Sequence, residues 1–233
     1  MSAWLTPLAE VNGVERLLFD VAEALRVPVL VLALASIAFV LMEAGALLAE
    51  VGRRRGRSVA GLEARIDEVR GALDGGDTEG AVRTVRALGH NARMAEMLAA
   101  VVELRGGDRA ADRLAKRMAE YDYWSLRRLE RTRILVRSGP AIGLMGTLIP
   151  LSPALAGLAR GDIAQLTNDL RVAFSVTVAG LIVGVIAFGV SLVRDRLYAQ
   201  DFSDVEYVLA SLDPGEAHLP AQAVETRGAG APA

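Results

Sequence analysis

Residues 138–159, SGPAIGLMGTLIPLSPALAGLA, and residues 172–193, VAFSVTVAGLIVGVIAFGVSLV, are two runs of 22 residues without a charged side chain. At about 1.5 Å of rise per residue each spans about 33 Å as a helix, enough to cross a hydrocarbon core of roughly 30 Å. Length therefore predicts two membrane helices. Their small residues say more. Gly139, Gly143, Thr147, Pro150, Ala154 and Gly157 recur every three or four positions in the first run, and Ala173, Thr177, Gly180, Gly184, Ala187 and Ser191 do so in the second. At about 100° per residue each set falls within an arc of roughly 80° on one helix face. Each stripe holds the only threonine of its run.

Two readings of the stripes stand side by side. Small residues let helix backbones approach closely, and an interior threonine bonds the carbonyl one turn back, so the stripes can be plain packing surfaces. Polar atoms at mid-membrane depth are also the usual lining of a conduction path.

The chain has 233 residues, 52% of them hydrophobic and 23% charged, with net charge −2. A third apolar run begins at Val27 and continues past Glu43 to Ala49, which predicts one more span over 27–51. Glu43 is its candidate intramembrane acid. It lies about 24 Å along that helix from Val27, so it either has a function or escapes to the interface or to an arginine such as Arg137 or Arg194. There is no cysteine, hence no disulfide and no thiolate chemistry. His90 and His218 stand in separate polar contexts and are expected at the surface, so neither a metal site nor a cofactor is expected.

Arginine placement predicts orientation. The segment 52–137 has 19 basic and 13 acidic residues, with Arg53, Arg54, Arg55 and Arg57 at one end and Arg127, Arg128, Arg131, Arg133 and Arg137 at the other. Arg194 and Arg196 follow the third span, whereas residues 1–26 have two basic and four acidic residues. The positive-inside rule then places the N-terminus outside, with the middle segment and the C-terminal tail in the cytoplasm. The leader lacks a basic start and a small-residue cleavage site, so the first span is expected to be an uncleaved anchor.

The remaining segments read as helix or tail. Leu8, Val11, Leu17, Leu18, Val21 and Leu25 predict an amphipathic helix at the outer interface, with Trp4 as a headgroup anchor. Leu62, Ile66, Val69 and Leu73 predict a helix stopped by Gly75 and Gly76, and Asp77 or Thr78 caps the next. A break at Gly89, His90 and Asn91 precedes a helix carrying Met94 to Leu104. Asp108 is then expected to cap a long helix running into the second span. Residues 194–212 continue as helix through Leu197, Phe202, Val205, Val208 and Leu209, and the Pro-, Ala- and Gly-rich residues 213–233 are expected to be disordered. No phosphate-cradling loop, nucleophile–base pair or spaced carboxylate pair is present, so an enzyme is not expected. The basic residues gather at membrane edges, not around exposed aromatics, which argues against nucleic acid as a partner.

The stretch GPAIGLMGTLIPLSPALAGLARGDI, followed by LRVAFSVTVAGLIVGVIA, resembles the MotA/TolQ/ExbB proton-channel family. Two elements carry the resemblance, Gly143-Leu144-Met145-Gly146-Thr147 and Thr177-Val178-Ala179-Gly180, in a layout of one span, a large helical segment, then a hairpin of two spans. The resemblance implies an inner-membrane homo-oligomer, a pentamer, around two copies of a single-span partner of the ExbD, TolR or MotB type whose aspartate carries the proton. It also implies that Thr147 and Thr177 face the pore, together with Gly143, Pro150, Gly180 and Gly184. ExbB-like members usually have a glutamate five residues before the second threonine; here that position is Val172, beside Arg171. Pro150 and Pro153 interrupt the second span.

The expected protein is all-α and membrane-embedded: an external segment 1–26, spans 27–51, 138–159 and 172–193, a cytoplasmic helical domain 52–137, an external turn 160–171, a cytoplasmic helix 194–212 and the tail. Its expected role is a proton-channel stator subunit that turns proton-motive force into mechanical work. The alternative is a non-conducting membrane scaffold that recruits partners through its cytoplasmic helices. The process driven, and the choice between proton and sodium, are not written in this subunit.

Overall fold

The computed structural model describes residue 13 and residues 17–56 and 58–212. The readings of Trp4, Leu8, Val11, His218 and the tail 213–233 lie outside the described residues. All secondary structure among the described residues is helical. Helix α1 covers 17–24 and α2 covers Arg26–Arg53. Pro28 has no N–H for the Ala24 carbonyl, and the chain passes from α1 to α2 at Leu25. Helices α3 (Val59–Asp74), α4 (Thr78–Ala87) and α5 (Ala92–Glu103) follow, then two helices of 50 residues, α6 (Ala110–Ala159) and α7 (Ile163–Leu212).

The caps explain the short helices. Ser58, Asp77 and Asn91 accept from the amides of Gly61, Gly80 and Met94 at 3.1, 2.8 and 2.9 Å. Of the two residues expected to cap α4, it is Asp77 that does so. Asp108, by contrast, does not cap α6. The helix begins two residues later at Ala110, because Arg109 takes a left-handed conformation, with φ 55°, and turns the chain there. The external turn expected over 160–171 is shorter: helix α7 already begins at Ile163.

Three helices are long and apolar enough to cross a membrane, by length and composition. Their best 18-residue windows have mean hydropathy 2.4 (Leu17–Arg53), 1.6 (Ala110–Ala159) and 2.5 (Ile163–Leu212). Only 22%, 33% and 39% of those windows is buried within the chain, so most of their apolar surface faces outward.

The chain divides into two compact units. The first holds the described residues up to Leu47 together with Glu130–Leu192. Its three helical segments pack through two apolar clusters. Val29, Ala33, Ile142 and Val176 form one, and Val40, Leu135, Val183 and Ala187 the other. Leu34, Leu144, Leu148, Phe174, Val185 and Phe188 are exposed on the outside. A membrane bundle needs that arrangement, since lipid is as good a neighbour for leucine as protein is.

The second unit holds Leu48–Leu129 and the residues from Val193 onward. Ile66, Val69, Val85, Met94, Leu98 and Val101 pack against Leu114, Met118, Val205, Val208 and Leu209. The positions expected to form the apolar face of α3, and the apolar residues from Met94 to Leu104 on α5, contribute to this core.

Candidate functional site

The two small-residue stripes meet each other within the first unit. Ten of their twelve residues are buried and only Thr147 and Thr177 are half-buried. Added side chains measure the approach. A Cβ on Gly180 would lie 2.5 Å from the Gly139 carbonyl oxygen and 2.8 Å from the Gly143 Cα. One on Gly143 would lie 3.3 Å from the Thr177 Cα, and one on Gly184 would lie 3.1 Å from Cδ of Pro140. Gly146, outside both stripes, closes directly on the Val176 side chain. Gly189, by contrast, has open space where a Cβ would go. The glycines thus bring the α6 and α7 backbones nearly into contact, the geometry that small residues permit in membrane helices.

The turn between the stripes fixes their register. Gly161 adopts φ 78°, the Asp162 amide donates to the Gly157 carbonyl at 2.9 Å, and the Asp162 carboxylate accepts from the Gln165 amide at 2.9 Å. A left-handed glycine after the last turn is the usual helix stop, and an aspartate three residues before the amide it binds is the usual start.

Both threonine hydroxyls spend their proton on backbone. Thr147 donates to the Leu144 carbonyl at 2.8 Å. Thr177 sits 3.2 Å from the Gly143 carbonyl across the interface and 3.1 Å from the Ala173 carbonyl of its own helix. What each retains is lone pairs, so each can accept from water or from a protonated acid. Pro150 is buried; it and Pro153 have no N–H to offer the carbonyls of Gly146 and Ile149, which flank Thr147. Glu43 is half-buried in α2. The structure therefore brings Gly143, Thr177, Gly180 and Gly184 together, with Thr147 and Pro150 on the same face of α6.

An ion pair that the sequence reading missed ties α2 to α7. Arg26 Nη2 lies 2.5 Å from Oδ1 of Asp169, which is buried and whose Oδ2 has no hydrogen-bond partner among the described residues. Asp169 stands one helical turn before Val172.

The second unit contains a buried polar cluster. Arg54 binds Asp201 bidentately at 2.6 and 2.7 Å and donates to the Leu197 carbonyl at 2.9 Å. The Tyr121 hydroxyl donates to the same carboxylate at 3.1 Å, and Asn91 lies 3.4 Å from both. Burial raises the Asp201 carboxyl above its ordinary value, against the charge and hydrogen bonds of Arg54. Burial, aided by the Asp201 charge, pushes the Tyr121 phenol above its ordinary range. Alongside, Glu50 accepts from Arg128 at 2.7 Å and from Arg194 at 3.4 Å. Trp124 lies between Tyr121 and Tyr198, with ring centroids at 5.9 and 5.7 Å. Sequence contained one signal of this cluster. Asp201 falls on the face of α7 that otherwise carries Tyr198, Val205 and Val208, and a carboxylate on an apolar face requires a buried partner.

Three helices able to cross a membrane, two of them joined as a glycine-lined hairpin, define a helical multi-pass membrane protein. Residues 89–202 match the family model of the MotA/TolQ/ExbB proton channel family. The match includes both threonine elements and the whole hairpin. No curated protein matches the chain.

Proposed function

We propose that this chain is the oligomeric proton-channel subunit of an inner-membrane stator complex. In this reading five copies surround two copies of a single-span ExbD-, TolR- or MotB-like partner, and proton-motive force becomes movement of that partner. The N-terminus lies outside, and segments 52–137 and 194–212 lie in the cytoplasm. The ion path passes Thr147 and Thr177, whose proton-accepting oxygens suit a protonated carboxyl or a water. Gly143, Gly180 and Gly184 hold the hairpin closed behind them, and Pro150 turns the Gly146 carbonyl into a further acceptor. The observation that carries this reading is the family match over residues 89–202, which spans both half-buried threonines.

The test is reconstitution. A neighbouring gene encoding a short single-span protein, with one Asp just inside its apolar run, supplies the partner. Proteoliposomes with both proteins are expected to take up protons under an imposed potential, and those with this chain alone are not. Purified complexes that hold no such subunit, with no flux when one is added, would instead favour the scaffold reading.

A further inference from the structure

Beside the Glu50–Arg128 pair, the second unit holds an open cavity of about 250 Å3. Among the described residues, four arginines line it (Arg53, Arg54, Arg93 and Arg128) against the single carboxylate of Glu50. Two of these are already spoken for, Arg54 by Asp201 and Arg128 by Glu50. Arg53 and Arg93 form no ion pair with another described residue. With Arg54 and Arg128 balanced, Arg53 and Arg93 leave the cavity with a net positive charge.

Two buried donors in its wall are also unmet. Arg128 gives Nη2 to Glu50, yet its buried Nε has no hydrogen-bond partner. The Tyr198 hydroxyl has none either, although Tyr198 is only 2% exposed. Burial, and then the charge of Glu50, pushes that phenol up to about 12, so it keeps its proton at neutral pH and can only gain by meeting an acceptor. Buried donors without acceptors are rare in native proteins, and both of these belong to side chains that line the cavity.

We propose that this cavity is a binding site for a phosphate group, held by Arg53 and Arg93 at its mouth and by Arg128 Nε and the Tyr198 hydroxyl in its wall. Arginine forks match phosphate oxygens in geometry and charge. The size fits. At about 30 Å3 per water the space equals roughly eight waters, room for a phosphate and its ester group. The phosphate has two candidate sources, a phospholipid headgroup or a soluble phosphate ester. Arg53 follows the apolar run ending at Ala49 by a single helical turn, within reach of headgroups.

Trp124 lines the cavity and reports on it. The full chain carrying Trp4→Phe, in neutral phosphate-free detergent, is titrated at constant ionic strength with inorganic phosphate. A parallel titration uses short-chain phosphatidylglycerol, with the diacylglycerol lacking the phosphate as its control. The expected result is a saturable change in Trp124 emission, at least tenfold weaker in affinity in Arg53→Gln/Arg93→Gln and weakened also in Tyr198→Phe. Saturation by the phospholipid alone assigns a headgroup; saturation by inorganic phosphate as well assigns a soluble ester. No saturable change with either probe overturns the proposal, as does unaltered affinity in the variants or an equal response to the diacylglycerol. The result does not depend on whether the protein conducts ions.

Discussion

The Thr177 hydroxyl bridges the hairpin, 3.2 Å from the Gly143 carbonyl on one helix and 3.1 Å from the Ala173 carbonyl on the other. One proton serves both contacts, so the oxygen faces its surroundings as an acceptor. Thr177→Val keeps the shape and deletes the acceptor. The interhelical bond it loses is worth only about 0.6 kcal/mol on average in membranes, so the complex should still assemble. Proton flux in proteoliposomes with the partner should fall at least tenfold, while Thr177→Ser retains most of it. Normal flux in the valine variant would return the hydroxyl to a packing role.

Substitution of Gly180 tests the hairpin itself. A stripe read from sequence predicts loss of the oligomer for Gly180→Leu; the clash within one chain predicts an earlier failure. Even Gly180→Ala would press its Cβ against the Gly139 carbonyl, at 2.5 Å. Over-packing of that kind costs about 1–3 kcal/mol, and leucine adds more. Thermal melts in detergent should show Gly180→Ala lowered and Gly180→Leu without a cooperative transition, while Gly189→Ala is unchanged. A normal Gly180→Ala melt would mean the helices sit farther apart than described.

Glu43 is the acid within the apolar run of α2 and is half-buried. The proposed proton carrier belongs to the partner, so Glu43→Gln should keep substantial flux and Thr177→Val should lose more. Abolished flux in an intact Glu43→Gln complex would move a relay step into this subunit.

Arg54 and Asp201 form a buried bidentate pair, and removing one partner strands the other. Arg54→Met should destabilise the chain by about 3–5 kcal/mol, and the double change Arg54→Met/Asp201→Leu by much less than the sum of the single ones. The pH dependence has a defined sign. Asp201 has its folded value raised above the ordinary 3.8, so its contribution is greatest below 3.8 and is lost as pH rises through the raised value. Melts of the wild type and Asp201→Asn across the acid range should differ by that decline. Parallel curves would show that Asp201 does not titrate there.

Much of the fold was legible because its signals are local. Charge-free length announced the long apolar helices, and Asp77 stands at a helix start where capping chemistry wants it, whereas Asn91, read as part of a break, proves to be the cap of α5. Arg109 was not legible, since nothing in its side chain favours a positive φ; only the surrounding structure holds it there. The stripes were legible as surfaces, but a periodic pattern cannot say whether the facing helix is its own neighbour or another copy. The polar cluster of the second unit was hidden for a related reason. Arg54 and Asp201 are 147 positions apart, and no periodicity connects residues at that distance.

The turn at 160–162 lies on the surface, and exposed loops usually tolerate changes in length. This one should not. Each residue added or removed there rotates one stripe by about 100° and slides it about 1.5 Å against the other. Gly180 would leave Gly139, and Thr177 would leave Gly143. The two helices therefore work as one cassette of fixed length. Among natural variants, substitutions along the outer faces of the hairpin should be common and insertions at its tip rare.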